Sequence, residues 1–552
     1  MFLLMLLAAS FSLLTEPWAP AAQQPAGFSI SGSVVNSVTG NAVPEAEVTL
    51  QPQFRGAETQ SITTDGSGGF VFSGLTAGRY TLTASRRGFM PQSFLQHGSY
   101  FSAVVVGEEF DTSHIVLRLP PQGVISGHIL SETGEPIRDA RVTAFLRDPS
   151  NPAEQSQRGA AESDDEGSYR IGRLPPGTYF VCVTAQPWYA RHPPTIPPSD
   201  TPRVGSPIFH ERPTSLRSSD ARLDVAYQVT FFGGATQMAD AQPIQIDGGE
   251  TESADITLTP VPARHIRLNM PTNTMGFPNI ELRTGPSSIG NQIPVQALQV
   301  EPGVWELAGI PPGHFTATLH IAEQGKQSPQ VRTIDVGDGS VVDVDPTQGS
   351  VSIKGTLRGE AGFRPLGSRI QLSMAGIEPF RTDVAPDGTF EFKEEFSQGT
   401  YTLVVGGTTP HYLTNLTATG AKASGRQLEV GTKDVQLSVT VSGSFSDVSG
   451  FALLAGKRTP GMLVVLVPQG ATKDTAPIRF DQSDGDGSFA LHNVAAGNYV
   501  LLAVDHAWNL AWANPDFLAQ FISKGQAVIA EAGGKSTLDI TVQDANNGGP
   551  KR

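Results

Sequence analysis

The 552-residue sequence predicts an all-β protein, a tandem array of about five β-sandwich domains behind an N-terminal signal segment. Three observations carry this. A Gly-x-aromatic pair recurs five times along the chain, the two members of each pair about ten residues apart. The residues after each pair alternate apolar and polar with period two, the signature of half-buried strands. Glycine (59) and proline (42) are spread over the whole length, so turn signals never lapse. With roughly 100–200 residues per domain, a chain of this length holds several domains.

The first element is an export signal. Met1 to Leu14 is almost wholly apolar, too short to span a bilayer comfortably, and is followed by Ala19-Pro20-Ala21-Ala22, which offers a cleavage point. No Lys or Arg precedes the apolar run, which departs from the usual pattern. Residues 1–22 are therefore expected to be removed, leaving a secreted, periplasmic or cell-surface protein. No later stretch approaches 18 unbroken apolar residues, so no transmembrane segment is expected. The formal net charge of −15 argues against a nucleic-acid partner. Cys182 is the single cysteine, so intrachain disulfides are excluded and stability must come from core burial. It lies in the strand-like run 178–183 and reads as a small buried apolar residue.

The repeat is the next element. Its copies are Gly68-Gly69-Phe70 with Gly78-Arg79-Tyr80, Gly167-Ser168-Tyr169 with Gly177-Thr178-Tyr179, Gly303-Val304-Trp305 with Gly313-His314-Phe315, Gly388-Thr389-Phe390 with Gly399-Thr400-Tyr401, and Gly487-Ser488-Phe489 with Gly497-Asn498-Tyr499. Glycine supplies the positive φ of a tight hairpin. Asp65, Asp165, Asp387 and Asp486 stand just before it, where a carboxylate can hydrogen-bond the turn backbone. Each unit thus reads as turn, strand, turn, strand. Upstream lie further strand pairs, such as Ile30-Ser31-Gly32-Ser33-Val34 leading to 43–50 and Ile125-Ser126-Gly127-His128-Ile129 leading to 136–142. A closing strand follows, such as 115–119 or 254–258, and about seven short strands per unit indicate a sandwich.

Taken together, these motifs resemble the carboxypeptidase regulatory-like domain, which has a transthyretin-like (prealbumin-like) sandwich related to CnaB-like, starch-binding-like and broadly Ig-like folds. The resemblance is close over 28–119 and 122–185, fair over 347–441 and 442–543, and weaker over 261–346. It sets the expected domains: 28–119; 122–260 with a long insertion at 186–225; a degenerate unit at 261–346; 347–441; and 442–543, with a short helix near 515–524 packed on its last sheet. Short linkers near 120–122 and 260–262 imply a beaded array of limited flexibility. The resemblance implies a fold and leaves function open, because the regulatory domain is not the catalytic part of the peptidases that carry it.

Residue by residue, no catalytic constellation emerges. His320-Ile321-Ala322-Glu323 matches a zinc-ligand pair by letter, but an extended chain sends residues three apart to opposite faces. The Gly-x-Ser-x-Gly elbow is absent, and Cys182 has no catalytic histidine near it in sequence. Asp481, Asp484 and Asp486 lack the later bidentate Glu of a calcium loop and read as a turn. Lys354 stands where some CnaB-like domains form an isopeptide crosslink, but no matching Asn or Asp with a buried acid follows in the late strands. No catalytic residue, metal or cofactor is therefore assigned. The remaining candidates are aromatics outside the repeat, Trp188 and Tyr189 in the insertion and Trp508 and Trp512 near the C-terminus, whose faces could stack on sugar rings. Trp305 occupies the repeat's aromatic slot and reads as core.

The expected function is a non-enzymatic secreted or envelope scaffold or adhesion-type protein, with an envelope or extracellular protein or polysaccharide as partner. A carbohydrate-binding protein using the exposed aromatics is the alternative, and an accessory to an envelope peptidase or export system is the third.

Overall fold

In each repeat the turn glycine takes the left-handed conformation that the sequence requires, with φ of +76° at Gly68, +73° at Gly167, +79° at Gly303, +86° at Gly388 and +77° at Gly487. The computed structural model describes residues 27–56, 58–151, 155–192, 221–269, 279–284, 292–293, 295–301, 303–323, 326–336, 341–344, 351–360, 363–374, 379–470 and 472–547. About 56% of these are strand and 4% helix. The sheets fall into five successive modules, so the chain is an all-β multidomain array.

The first module shows the plan. Strand Phe28–Asn36 lies between Gly69–Leu75, antiparallel to it, and Ile115–Leu119, parallel to it. A second sheet runs Gln60–Thr63, Glu47–Pro52, Gly78–Ser85, with Gln92–Ser93 and Val104–Val106 both paired to the last of these. The inward rows of both sheets, including Ile30, Val34, Leu50, Phe72, Tyr80 and Leu82, form one core. The parallel pairing of first and last strands recurs in the other modules, between 123–131 and 251–258, 264–269 and 341–344, 353–359 and 435–442, and 446–454 and 535–541.

A cross-strand pair explains the glycine of the first strand. Gly32 stands opposite Phe70, Gly127 opposite Tyr169, Gly355 opposite Phe390 and Gly450 opposite Phe489. A Cβ on these glycines would lie 1.9, 2.5, 2.6 and 1.7 Å from a carbonyl oxygen of the closing segment, and at Gly32 and Gly355 it would also strike the aromatic ring. The glycine is therefore needed for backbone approach and to receive the ring. The tyrosine of the second half-motif is fixed in the same modules. Tyr80, Tyr179, Tyr401 and Tyr499 each donate a hydrogen bond to the carbonyl four residues earlier, at 2.7–2.9 Å. The third module has neither device: Leu268 faces Trp305, and Phe315 replaces the tyrosine.

The turn carboxylates need one correction. Asp65 accepts from the N–H groups of Ser67 and Gly69, and in the second module the same role falls to Asp164, which accepts from Glu166 and Ser168, rather than to the expected Asp165. Asp387 and Asp486 accept from the residue two further on.

The modules are not beads. Phe145, Cys182, Val229 and Phe231 on the outer face of the second module share one apolar core with Leu268, Trp305 and Leu307 of the third. Cys182 is buried there, as the sequence predicts. The short pairing of Val225–Tyr227 with Pro260–Pro262 ties the end of the long insertion to the linker. The last module carries a second apolar layer. Helix Pro515–Ile522, capped by the Asn514 side chain, buries Leu518 and Phe521 against Leu463, Val465, Leu502 and Val504. Strand Leu463–Pro468 is consequently buried on both faces.

Candidate functional site

Among the described residues a dense polar constellation joins the first module to the fifth. A loop of the first module, residues 94–103, reaches the turn at 482–488 of the fifth. Gln482, buried, donates through its amide nitrogen to the Leu95 carbonyl (2.6 Å) and the Ser102 hydroxyl (2.9 Å), and its Oε1 meets His97 Nδ1 at 3.0 Å. Ser102 Oγ donates to the Ser483 carbonyl at 2.7 Å. The Ala103 N–H donates to Asp484 Oδ1 (2.7 Å), and the Gly485 N–H returns a bond to the Ala103 carbonyl (2.8 Å). Arg79 pairs with Asp484, lies 3.5 Å from Asp486 and donates to Ser488 Oγ at 2.7 Å.

Asp484 is the telling residue. Its backbone makes the same two turn bonds as Asp65 and Asp164, to the residues three and four further on. Its carboxylate, however, points away from its own turn to Arg79 and Ala103, while Asp486 stabilises the turn instead. The expected turn is therefore present, and its aspartate is used to bind another module. Burial raises the Asp484 carboxyl and pushes Asp481 up to about 6.

Apolar contacts extend the seam. His97 stacks on Trp508 with ring centroids 4.9 Å apart and planes 5° from parallel, and burial lowers the pKa of that imidazole. Tyr100 meets Trp508 and Trp512 at 5.6 and 5.7 Å. The Trp508 indole N–H donates to the Gly461 carbonyl, and Trp512 is 7% exposed. These two tryptophans thus lie at the seam and under it. A groove of about 670 Å³ runs alongside, with Phe101 of the first module on one wall and Phe451 and His492 of the fifth on the other.

Trp188 and Tyr189 behave differently. Trp188 is 85% exposed and stands edge-on to Tyr189 at 5.8 Å, and Tyr189 shares a hydrogen bond with Tyr227. The pair marks the entry to the insertion, whose residues 193–220 lie outside the described ones.

A second polar cluster, missed in sequence reasoning, locks the two ends of that insertion to the third module. His192 Nδ1 and His265 Nε2 meet the two oxygens of Asp224, both at 2.9 Å, and His265 Nδ1 meets Glu306 Oε1 at 2.7 Å. His265 and Glu306 are almost fully buried. Burial alone would lower the His265 pKa, but the bonds to Asp224 and Glu306 outweigh it and raise it to about 9. Burial would likewise raise Asp224, but the two histidines bring it to about 2. The four residues span 192 to 306, and no spacing motif announces them.

Among the described residues no group of three or more His, Cys, Asp or Glu is arranged to hold a metal ion, and no helix is long and apolar enough to cross a membrane. His320 and Glu323 lie three apart on the extended strand Gly313–Glu323. Lys354 is exposed, near Asp434. Trp305 is core.

Fold and seam together define a multi-module β-sandwich protein closed end to end. Residues 29–112 and 124–204, in its first two modules, match the model of the carboxypeptidase regulatory-like domain. No curated protein matches the chain. Among solved structures it is similar to the Bacillus anthracis TIE protein, at 14% identity over 76% of this chain and 75% of that one, with a TM-score of 0.17. It is also similar to a streptococcal ancillary pilin (11% identity, 51% of this chain and 99% of that one, TM-score 0.19) and to a minor pilin of Streptococcus agalactiae (12%, 43% and 97%, TM-score 0.21).

Proposed function

We propose that this chain is a non-enzymatic scaffold or adhesion-type protein of the cell envelope or exterior, which presents the exposed Trp188, with Tyr189 beside it, to an extracellular partner. The observation that carries this reading is the use of its reactive side chains. Asp484, Arg79 and His97 join the first module to the fifth, and His192, Asp224, His265 and Glu306 join the insertion to the third. Groups that could do chemistry are engaged in joining one module to another, which supports a presenting role. The apolar run from Met1 to Leu14 supports export.

The exposed Trp188, with Tyr189 beside it, favours a second reading, in which the partner is a polysaccharide stacked on that ring. Trp508 and Trp512 are engaged within the protein, so this reading rests on Trp188 and Tyr189. Immobilised envelope polysaccharides and envelope proteins, probed with the mature chain, test both. Saturable binding to a protein, weakened by Trp188→Ala, supports the adhesion reading. Polysaccharide binding lost in the same variant selects the second. Absence of binding to either panel by folded protein sinks the presenting role.

A further inference from the structure

The seam between the first and fifth modules contains two complementary surfaces carried by one chain, and nothing in its chemistry distinguishes the chain's own fifth module from that of another copy. One surface offers the Arg79 guanidinium, the Ser102 hydroxyl, the Ala103 N–H and carbonyl, and the His97 and Tyr100 rings. The other offers Asp484, the Ser483 carbonyl, the Gly485 N–H and the Trp508 face. We propose that this contact also works between copies: the first module of one chain docks on the fifth module of a second, giving a head-to-tail assembly whose smallest closed form is a two-chain ring.

Three observations carry the proposal. The contact is directional, with the Arg79 cation on one face and the Asp484 and Asp486 carboxylates on the other, so it is heterologous and repeats head to tail. It is specific rather than incidental, because Asp484 has been turned out of the turn-stabilising role that Asp65 and Asp164 hold at the same position. It is also polar and partly accessible, with the Arg79 side chain 40% and that of Asp484 19% exposed, unlike the dry core that fuses the second and third modules. When a contact of that kind opens, its hydrogen bonds and ion pair are exchanged for bonds to water, and the apolar surface laid bare includes the Tyr100 and Trp508 rings. Within one chain the two surfaces meet at an effective concentration on the order of millimolar, which keeps an isolated copy closed. Where copies are crowded, or where the own-chain seam is weakened, the same bonds form between chains.

Charge reversal tests this with the full mature chain. In Arg79→Asp copies a third carboxylate is set against Asp484 and Asp486 across the seam, and in Asp484→Arg copies two guanidinium groups face each other there. In either variant like charge opposes both closure on itself and pairing with its own kind. When the two are mixed, the unaltered Arg79 of one copy meets the unaltered Asp484 of the other, and the two substituted residues meet with opposite charge at the second seam. Size-exclusion chromatography with light scattering should show each variant alone at single-chain mass and the equimolar mixture at twice that mass. The Arg79→Asp/Asp484→Arg double variant should be a closed single chain like the wild type. A mixture that stays at single-chain mass, while both variants keep the wild-type circular dichroism, overturns the proposal. If a reversal disturbs its module, Ala103→Cys copies are oxidised together with Gly485→Cys copies. Irreversible trapping accumulates even a minor population, so a disulfide mapped between positions 103 and 485 of different chains supports exchange, and its absence refutes it.

Discussion

The molecule joins modules in two ways that differ in chemistry. Between the second and third modules the contact is an apolar core, with Phe145, Cys182 and Phe231 packed on Leu268 and Trp305, sealed at one side by a buried His–carboxylate chain. Between the first and fifth it is a hydrogen-bonded surface closed by an ion pair and one stacked ring. The first resembles a domain interior and the second a recognition surface. The lesson is that one repeated sandwich can be fused or merely clasped, depending on which outward-facing positions are apolar.

This contrast can be broken most strongly at the fused joint. Phe231→Ala or Trp305→Ala should cost about 3–5 kcal/mol, the range for deleting a buried aromatic side chain. Because the core is shared, calorimetry should show the second and third modules losing stability together while the other transitions stay in place. Separate shifts would mean that the two modules do not share a cooperative core.

The buried imidazole sharpens the comparison through pH. His265 in the folded protein titrates at about 9, above its ordinary value of 6.5, so its contribution is fully present below pH 6.5 and is lost as pH rises through 9. The groups facing it are Asp224, which also faces His192, and Glu306. The loss should be a few kcal/mol at most, since one pKa unit corresponds to about 1.4 kcal/mol. Urea denaturation at a series of pH values should show this fall in the wild type and a flat profile in His265→Gln, with the seam indifferent to the substitution.

The smallest effect belongs to the clasp. Trp508→Ala removes the ring that stacks on His97, and Arg79→Ala removes the charge that Asp484 faces. Arg79 is substantially exposed, so its pair should contribute on the order of 1 kcal/mol or less and weaken further with salt. Small-angle scattering should report a larger radius of gyration for either variant with the thermal transition of the fused joint unchanged. An unchanged radius in both would assign the closure to other contacts.

How far the sequence could be read follows from the same contrast. The sandwiches were legible because their determinants are local: a positive-φ glycine, an aromatic two residues on, and a tyrosine ten residues later lie within one short window. The reason for the glycine at 32 or 355 was not legible, because its partner ring, Phe70 or Phe390, comes from a strand more than thirty residues away. The weaker resemblance of residues 261–346 has a physical counterpart, since Leu268 and Phe315 replace the glycine and the tyrosine hydroxyl that brace the other modules. The seam was the least legible feature. Arg79 and Asp484 are 405 positions apart, and each looks like a turn or surface residue in its own repeat. Trp508 and Trp512 were conspicuous as aromatics outside the repeat, but their partners, His97 and Tyr100, sit in a loop with no motif of its own.

Docking the first module on the last also has a mechanical meaning. The first and fifth modules touch, so a tension drawing them apart would load the clasp in parallel with the three modules between them. Its polar bonds would part before a sandwich core did, and the first and fifth modules would then swing apart while the second and third moved as one fused body. The molecule would lengthen by a defined step while every domain stayed folded, and would shorten again once the tension fell.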